Sequence, residues 1–404
     1  RGAAPEDFRR IPGHVWTDGG DQNQDRVPLR EETMAVGHGV TATYLWCGAA
    51  DVYAETGEKA LLEALERLWR DVTTHKMYIS GGVAALHHGE LLRRTFRRWP
   101  RDSVHEAFGA EYQLPNRTAY NETCANICNA MFSYRLLGVH GESRYADIME
   151  LVLYNSALAG ISAEGTHYFY TNPLRRTDDH QMDTTDQKTR EPYIPCFCCP
   201  PNLVRTIAKS PSWAYSLSKN GIAVNLYGGN RLSTRMLDGS RIELTQDTEY
   251  PWRGSVRISI AECKESPFEI ALRIPEWAED VVMQVNGERI DADVDSGTYA
   301  SINRHWKTGD TVTLELPMTI KLMEGHPRIE EVRNQVAIKR GPVVYCVESP
   351  DLPEDTDILD VYLPVKSELT AKYRPDFLGG MTTISGNVLL RTDKREAMYN
   401  RLSE

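Results

Sequence analysis

The stretch NLVRTIAKSPSWAYSLSKNGIAVNLYGG at 202–229 marks the point where the chain changes character. Residues 202–217 carry apolar side chains at helical spacing, whereas IAVNLYGG at 222–229 alternates as a strand does. The same helical spacing recurs upstream, in residues 32–55, 58–75, 118–138 and 144–160. Gly57 and Gly138 stand where two of these helices should end, because glycine is favoured just past a helix. The first half of the chain is therefore predicted to be helical.

Beyond residue 220 the sequence is typical of an all-β sandwich. Short, alternating, β-branched runs follow one another at a spacing of roughly ten residues. These runs are RIELTQDTEY, SVRISIAE, FEIALRIPE, VVMQVNGERI and TVTLELPM. Asn286-Gly287 is a turn signal inside this region. In the first half, residues 79–90 and 91–116 are predicted to be loops. The charged stretch 176–190 is predicted to be a solvated loop, with a substrate-covering loop as the alternative.

The bulk composition is that of an ordinary globular protein with an acidic balance. The 404 residues are 41% hydrophobic and carry a formal net charge of −11, and the length allows two or three domains. The negative charge argues against nucleic acid or an anionic membrane as a partner. No apolar run approaches the roughly 18 residues of a membrane span. Eight Trp and nineteen Tyr residues are compatible with surfaces that stack on sugars, although most should lie in the core.

The cysteines are clustered. Three of the eight, Cys196, Cys198 and Cys199, fall within four residues. A disulfide scaffold in a chain of this length would spread its cysteines more evenly, and adjacent cysteines pair only through a strained ring. The clustering therefore indicates a metal site or catalysis, and it favours a reducing, cytoplasmic compartment. Buried, inert thiols are the alternative.

The segment CFCCPPNLVR at 196–205 is predicted to place Cys198 and Cys199 at the start of a helix. Pro200 and Pro201 suit the first helical positions, because a proline lacks the N–H that would be unpaired there. The positive end of the helix dipole would stabilise a thiolate at this point. Two adjacent thiolates at such an end can bind a metal ion. A tight turn with buried thiols is the alternative.

Two further donors, Glu122 and Cys124, stand near the start of another predicted helix. Together with Cys198 and Cys199 they make three thiolates and a carboxylate, a tetrahedral set that suits zinc. The spacing by itself does not bring the two segments together in space. From the residues alone, a structural role for such a zinc ion is favoured over a catalytic one.

Three motifs in order, EAFGAEYQLPNRTAYNETCA, YFYTNPL and CFCCPPN, resemble glycoside hydrolase family 127, which is typified by β-L-arabinofuranosidases. REETMAVGH at 30–38, MYISGG at 77–82 and MELVLYN at 149–155 extend the resemblance. The phrases RIPEW, VNGE and KRGPVVY continue it through the predicted sandwich, so it covers most of the chain. Residues 86–104 depart from the family pattern as an insertion before EAFG.

The resemblance implies a zinc-dependent catalytic centre. Glu122, Cys124, Cys198 and Cys199 match the zinc ligands of the family, Cys198 also matches the nucleophile, and Glu106 matches the general acid/base. A retaining glycosidase needs one nucleophile and one proton donor on either side of the bond that it cleaves. Bound zinc would keep the thiol ionised, and by drawing charge from sulfur it would make sulfur a better leaving group in the second step.

The resemblance also implies contacts to the sugar. His38, Glu150 and Tyr170 match positions that contact the sugar in the resembling enzymes. For each of them an ordinary role stays open: a helix histidine, a solvated helix glutamate and a core tyrosine. Cys128 lies one helical turn after Cys124 and is expected in the core rather than on the metal.

The fold that the resemblance implies is α+β and multidomain, with part of an (α/α)6 barrel followed by β-sandwich domains. Residues 1–215 would be the C-terminal part of the barrel, 216–335 a β-sandwich, and 336–404 a further, truncated β-rich segment. Residues 1–215 supply about half of the helices that such a barrel needs. We therefore expect the N-terminal half of the barrel to be absent from this chain, and the apolar faces of 32–55 and 118–138 to be exposed.

The leading hypothesis is a retaining glycoside hydrolase that cleaves terminal β-L-arabinofuranosidic bonds, with Zn²⁺ as cofactor and a glycoside or oligosaccharide as partner. A homodimer is left open. An alternative within the family is a hydrolase of a related furanoside such as aceric acid in pectin. An alternative of another class is a non-catalytic carbohydrate-binding protein with a structural zinc. Glu106 distinguishes these classes, because a structural site needs no proton donor beside a coordinated thiolate.

Overall fold

The computed structural model describes residues 22–24, 26–90, 103–177, 189–290, 294–391 and 398–399. The chain divides into two compact units, one of residues 1–176 and 181–344 and the other of residues 177–180 and 345–404. Most of the predicted loop at 176–190 lies outside the described residues. The predicted division into domains at 215 and 335 stays a prediction.

The first unit begins with helices. In its described residues these are α1 (Gly39–Thr56), α2 (Lys59–His75), α3 (Thr123–His140), α4 (Ser143–Val152) and α5 (Cys199–Lys209). The prediction of a helical first half is confirmed, but the two loops predicted between α2 and α3 contain a hairpin. It pairs β1 (Leu86–Glu90) with β2 (Ser103–Ala107) in antiparallel fashion. None of the helices in the described ranges is long and apolar enough to cross a membrane.

The helix ends differ from the sequence predictions for local reasons. α1 begins at Gly39 rather than at residue 32, because the side chain of His38 caps it by accepting a backbone N–H. Gly57 ends α1 with a φ of 67°, as predicted. The prediction for Gly138 is wrong: α3 continues through it and ends at Gly141, which has a φ of 68°.

The predicted helix at 202–217 is shorter and starts earlier. α5 runs from Cys199 to Lys209 with prolines at its second and third residues, which confirms the predicted helix start at the cysteine pair. A 3-10 turn follows at Ser210–Trp213. Pro211 cannot donate a backbone hydrogen bond, so the α-helix does not continue through it. The last predicted helical residues belong instead to strand β3 (Tyr215–Leu217).

α3 is the central helix of the helical layer. The prediction of an exposed apolar face at 118–138 is wrong, because α1, α4 and α5 pack around α3. Its buried side chains lie on all sides and include Cys124, Ile127, Phe132 and Leu136. Burying each large apolar side chain contributes about 1.5–3 kcal/mol. α1 does expose apolar residues, namely Tyr44, Leu45 and Val52.

Two sheets form the rest of the first unit's core. Their strands are β4 (Gly221–Val224), β5 (Asn230–Arg235), β6 (Arg241–Thr248), β7 (Ser255–Cys263), β8 (Ser266–Ile274), β9 (Val282–Val285), β10 (Glu288–Arg289), β11 (Thr298–Trp306) and β12 (Thr311–Glu315). One sheet has the order β10-β9-β12-β7-β6-β5 and the other β11-β8-β4-β3. Alternate residues of both sheets bury one common apolar core, so the predicted sandwich is confirmed.

A tight turn and a nine-residue strand pairing fix the arrangement of strands in the sandwich. Asn286 and Gly287 both have positive φ, 52° and 85°, and connect β9 to β10 in the tight hairpin that their sequence predicts. β8 and β11 pair over nine residues, from Ile274 with Thr298 to Ser266 with Trp306. This ladder holds β8 in the middle of its sheet, where it faces the helical layer.

A third sheet, which lies in the first unit except for its last residue, has the order β13 (Ile320–Glu324), β14 (Val336–Arg340) and β15 (Val343–Tyr345). In its described residues the second unit contains two small antiparallel strand pairs. β16 (Val361–Tyr362) pairs with β19 (Leu389–Leu390), and β17 (Thr370–Arg374) pairs with β18 (Met381–Ser385). The chain is thus a helical layer followed by several β structures.

Candidate active site

Glu122 and Cys124 lie at the N-terminus of α3. Glu122 is the cap residue of the helix, and its backbone forms an antiparallel bridge with Thr171. The neighbouring Thr123 donates its N–H to the carbonyl of Tyr170 at 2.9 Å. These bonds fix the direction in which the chain enters α3. Both donors are buried, Glu122 at 1% and Cys124 at 3% exposure.

Cys198 and Cys199 lie at the N-terminus of α5. Cys198 is the cap residue and Cys199 the first helical residue. Cys199 is buried, whereas Cys198 is exposed to solvent. The helix dipole points its positive end at both sulfurs. One thiol is therefore in contact with solvent while its neighbour faces the interior.

The four side chains converge on one point. The ligand atoms of Glu122, Cys124, Cys198 and Cys199 all lie within 4.8 Å of one another. Cys198 Sγ is 3.8 Å from Cys199 Sγ. Glu122 Oε1 is 3.6 Å from Cys198 Sγ and 3.5 Å from Cys199 Sγ. The sequence had predicted this set without being able to show that its two segments meet.

These distances allow a test of fit for a metal ion. A tetrahedral zinc ion with ordinary bond lengths would separate two sulfur ligands by about 3.8 Å, and a sulfur from an oxygen by about 3.6 Å. The observed sulfur–sulfur distance of 3.8 Å and the sulfur–oxygen distances of 3.5 and 3.6 Å agree with both values. Glu122 Oε2 is also buried, and it has no hydrogen-bond partner among the described residues. The donor set therefore fits zinc.

The cluster concentrates negative charge on one sulfur. Hydrogen bonds donated by Cys124 and Cys199 lower the pKa of Cys198 to about 2. Burial raises the pKa of Cys199, and the hydrogen bond to Cys198 raises the pKa of Cys124. Burial together with the charges of nearby groups raises the pKa of Glu122 well above its ordinary value. A cation placed among these groups would stabilise ionisation of all four.

Glu106 lies in β2, is 7% exposed, and is surrounded by hydrogen-bond donors. Its φ of 52° is uncommon for a residue other than glycine. Oε1 accepts from the hydroxyl of Tyr120 at 2.8 Å and from that of Tyr170 at 3.0 Å. Oε2 lies 2.8 Å from His38 Nε2, and His105 Nδ1 lies 3.5 Å from Oε1. Burial alone would raise the pKa of this carboxyl, but the hydrogen bonds from His38 and Tyr120 outweigh it and lower the pKa to about 2.

His38 reaches Glu106 from the start of α1. Its Nδ1 accepts the backbone N–H of Val40 at 3.1 Å, so the ring proton of the neutral imidazole lies on Nε2. Nε2 therefore donates to Glu106. Gly39 allows this close approach, because a Cβ at that position would lie 2.4 Å from the Cβ of Ala84. The cap of α1 thus also orients a hydrogen-bond donor toward the candidate acid/base.

Tyr170 connects the two halves of the site. The residue is 2% exposed, and its hydroxyl donates to Glu106 Oε1. The same hydroxyl accepts from Cys196 Sγ at 3.7 Å. Cys196 lies two residues before Cys198, so a single hydroxyl separates the thiol segment from the candidate acid/base. The Glu106 carboxyl and the exposed thiol segment are thereby held on either side of one buried tyrosine.

Comparison with known protein families assigns the chain to one of them. The profile described as "Beta-L-arabinofuranosidase, GH127 catalytic domain" matches residues 7–212, just over half of the chain. The GH127 middle domain matches residues 221–318, and the glycoside hydrolase family 127 C-terminal domain matches residues 320–380. The chain belongs to glycoside hydrolase family 127. The resemblance inferred from the sequence motifs is confirmed.

Individual relatives of this GH127 chain agree with the assignment. A non-reducing end β-L-arabinofuranosidase of Bifidobacterium longum subsp. longum is 31% identical over 373 residues, which are 89% of this chain and 53% of that protein. A solved glycoside hydrolase structure has 43% identity and a TM-score of 0.90, and the match covers 96% of this chain and 64% of that one. A GH127 β-L-arabinofuranosidase from Geobacillus stearothermophilus T6 has 33% identity and a TM-score of 0.86, over 96% and 59%. This chain spans 53 to 64% of the length of these relatives.

Of the three residues predicted to contact sugar in this GH127 chain, Glu150 lies apart from the others. It is 2% exposed, and its carboxylate binds the guanidinium of Arg273, which is fully buried on β8. Tyr250 donates its hydroxyl to the same oxygen at 2.5 Å, and Trp277 Nε1 lies 3.3 Å from the other oxygen. Arg273 also binds Asp147, one turn earlier on α4. This placement contradicts a solvated glutamate and gives Glu150 a role at the junction of α4 with the sandwich. His38 and Tyr170 do lie at Glu106.

Three residues near Glu106 were not among the predicted site residues. Tyr120 binds the carboxylate directly and lies in the same AYNETC motif as the predicted zinc ligands, which is a signal that could have found it. His87 stacks on Tyr120 with ring centroids 4.7 Å apart and also contacts His105 at 4.9 Å. No sequence pattern predicts these contacts, because they depend on the pairing of β1 with β2. Cys128, expected in the core, is fully buried.

Proposed function

We propose that the protein is a retaining glycoside hydrolase that cleaves terminal β-L-arabinofuranosidic bonds, with Cys198 as nucleophile and Glu106 as general acid/base. The observation that carries this proposal is the position of the Tyr170 hydroxyl, which binds the Glu106 carboxylate and Cys196 Sγ, and whose hydrogen bond also helps to lower the pKa of Cys198. The substrate class is supported by the two relatives that are named as β-L-arabinofuranosidases.

In this proposal Glu122, Cys124, Cys198 and Cys199 hold a zinc ion. The support is the agreement of the sulfur–sulfur and sulfur–oxygen distances with a tetrahedral site, and the buried Oε2 of Glu122, for which the described part of the chain offers no hydrogen-bond partner. Bound zinc would keep Cys198 ionised at neutral pH and would make its sulfur a better leaving group. A purely structural zinc site would need neither an exposed ligand nor a buried carboxylate beside it, and both are present here.

The proposed reaction has two steps at the anomeric carbon. In the first, Cys198 Sγ forms a bond to C1 while the C1–O bond breaks, and Glu106 gives its proton to the departing oxygen. In the second, Glu106 takes a proton from water, the water oxygen bonds to C1, and the carbon–sulfur bond breaks with its electron pair returning to Cys198. Two inversions give net retention. The protein's residues supply both proton transfers.

The surroundings of Glu106 suit the second step directly. Hydrogen bonds from Tyr120, Tyr170 and His38 stabilise its ionised carboxylate, which is the form that a general base requires. For the first step the carboxyl must be protonated, so it must release at least one of these donors when the sugar oxygen binds. The negative charge of the nearby thiol and carboxylate cluster favours that protonation, because like charges raise the pKa of a carboxyl.

The organisation of the whole protein belongs to the same proposal. The helices of residues 1–215 would be part of an (α/α)6 barrel whose other helices, from a preceding segment or another chain, cover the remaining apolar surface. On α1 that surface includes Tyr44 and Leu45, and on α5 it includes Val204 and Ile207. Arg205 Nη2 binds the Tyr44 hydroxyl at 2.8 Å, so the two exposed faces adjoin. The free state of all eight cysteines supports a reducing, cytoplasmic location.

The test of the function is hydrolysis of an aryl β-L-arabinofuranoside, with the product followed by NMR from the first turnover. We expect release of L-arabinose whose initial anomer has the configuration of the substrate. Cys198→Ser should abolish the reaction while the variant stays folded. Inversion of configuration, or full activity of the serine variant, would contradict the assignment of the nucleophile.

A further inference from the structure

Two exposed aromatic side chains lie on the segment that leads to Cys198. Tyr193 is 68% exposed and Phe197 is 51% exposed. Their rings are stacked, with centroids 5.6 Å apart and an angle of 20° between the planes. Exposed apolar surface of this kind costs free energy unless it has a use. The reaction steps proposed above give these two rings no role.

The segment that carries the two rings is anchored on both sides. Glu191 forms two backbone hydrogen bonds with Tyr168, of 2.8 and 3.0 Å, just before the aromatic pair. Ile194 is fully buried and packs in one cluster with Tyr170 and Cys199. The residues next to Tyr193 therefore fix the backbone, and the ring pair has a defined position relative to the thiol cluster.

The same segment forms the solvent side of the candidate active site. Cys196 and Cys198 are exposed like Phe197 between them, whereas Ile194 and Cys199 are buried. The residues from 195 to 198 thus face solvent together. Cys196 Sγ in turn contacts the Tyr170 hydroxyl that binds Glu106. The two aromatic rings and the exposed Cys198 thiol therefore belong to one continuous stretch of exposed chain.

The size of the surface indicates what it binds. Two aromatic side chains bury about 300–500 Å² at most when they are fully covered. A stable protein–protein contact buries at least about 1,200 Å². A sugar ring, which presents a flat apolar face with polar edges, matches the smaller area. The Tyr193 hydroxyl adds a hydrogen-bonding group at the edge of such a face.

We infer that Tyr193 and Phe197 form a carbohydrate-stacking subsite for a sugar ring of the substrate outside the ring that is cleaved at Cys198. This inference rests on the proposed function. The subsite favours saccharides over simple alkyl glycosides and orients the rest of the substrate as the terminal sugar enters the site. It recognises ring shape rather than charge.

The test compares two substrates with the same terminal sugar on the zinc-loaded protein. One is an L-arabinofuranosyl disaccharide and the other is methyl β-L-arabinofuranoside, which has no second ring. In Tyr193→Ala and in Phe197→Ala, the ratio of kcat/KM for the disaccharide to that for the methyl glycoside should fall by about three- to tenfold, the scale of one aromatic contact. Phe197→Tyr should keep the wild-type ratio. Tyr362→Ala, at a tyrosine that is 43% exposed in the second unit, is the control and should leave the ratio unchanged.

An unchanged ratio in both alanine variants would overturn the subsite, and so would an equal loss on both substrates.

If the wild-type protein hydrolyses neither compound, the proposed function fails and the subsite is judged by binding. The disaccharide is then titrated into the wild-type protein and into the Tyr193→Ala, Phe197→Ala double variant while ¹H–¹³C NMR spectra are recorded. Shifts confined to the wild type would support the subsite. Identical spectra, or no shifts in either protein, would refute it.

Discussion

Glu150→Gln separates a structural role for this residue from a role in sugar binding. The substitution keeps the size of the side chain and removes its charge. In the structure the Glu150 carboxylate accepts from Arg273, from the Tyr250 hydroxyl at 2.5 Å, and from Trp277 at 3.3 Å. All of these contacts lie between α4 and the sandwich. The variant should therefore weaken the junction between the helical layer and the sandwich.

The magnitude follows from the number of charge-assisted bonds. Hydrogen bonds to a charged group contribute about 1 kcal/mol more than neutral ones, and Glu150 accepts two short ones, from Arg273 and Tyr250. The glutamine amide would also point one N–H at a donor. Breaking a buried ion pair completely costs about 3–5 kcal/mol, but Arg273 keeps its second carboxylate, Asp147. We therefore expect a loss of about 2–3 kcal/mol in the free energy of unfolding.

The assay is urea unfolding of the full chain, followed by tryptophan fluorescence, beside steady-state kinetics at a temperature where both proteins are folded. Glu142→Gln is the matched control. Glu142 pairs with Arg144 at 2.7 Å, but both side chains are about half exposed, so its loss should cost less than about 0.5 kcal/mol. For Glu150→Gln, kcat/KM of the folded protein should stay within a factor of about two to three. A variant as stable as the wild type with KM raised tenfold or more would refute the structural role and support the predicted sugar contact.

The remaining predictions concern the candidate active site. One zinc ion per chain should copurify with the protein. Cys124→Ser should lose this zinc, while Cys128→Ser, one turn further along α3, should retain it; metal analysis showing the reverse would contradict the ligand set. Glu106→Gln should lower kcat by about 10²–10⁴-fold on a substrate with a poor leaving group and far less on an activated aryl glycoside, and equal losses on both would exclude a proton donor. Tyr170→Phe removes one of the hydrogen bonds that stabilise the ionised carboxylate of Glu106, so the acid limb of the pH profile for hydrolysis of the thioglycoside intermediate should move to higher pH. An unchanged limb would show that Tyr170 acts elsewhere.

The parts of the fold that the sequence predicts are those set by local chemistry. Prolines after the cysteine pair predict the start of α5, and Asn286-Gly287 predicts a hairpin, because both depend on backbone preferences of neighbouring residues. The end of α3 was misplaced by three residues, at Gly138 instead of Gly141. Glycine is tolerated inside a helix when tertiary packing around the helix offsets its cost, and α3 is the most enclosed helix of the layer.

The site was predictable where a motif carries it and not where distant segments meet. The four side chains that converge, Glu122, Cys124, Cys198 and Cys199, are found by their motifs, and so is Glu106. The contact of Glu150 with Arg273 was not predicted, because Arg273 is 123 positions away on β8, and the sugar contact of Glu150 stays a prediction. Likewise, Tyr170 lies 64 positions after Glu106, and its segment is held at the site by backbone contacts with residues 120–123, the bridge between residues 122 and 171 among them. Contacts of this kind depend on topology, and one sequence does not encode them in a local pattern.

The most direct test of the account is capture of the covalent intermediate. Glu106→Gln lacks the base that completes the second step, so an activated aryl β-L-arabinofuranoside should load the sugar onto the nucleophile and leave it there. The zinc-loaded variant is mixed with this substrate, quenched in acid, digested and analysed by tandem mass spectrometry. The account predicts that the peptide containing residues 196–199 gains the mass of one pentosyl group, and that fragmentation places it on Cys198 rather than on Cys196 or Cys199. A pentosyl group on any other residue, or turnover without a covalent adduct and with inversion of configuration, would contradict the central claim.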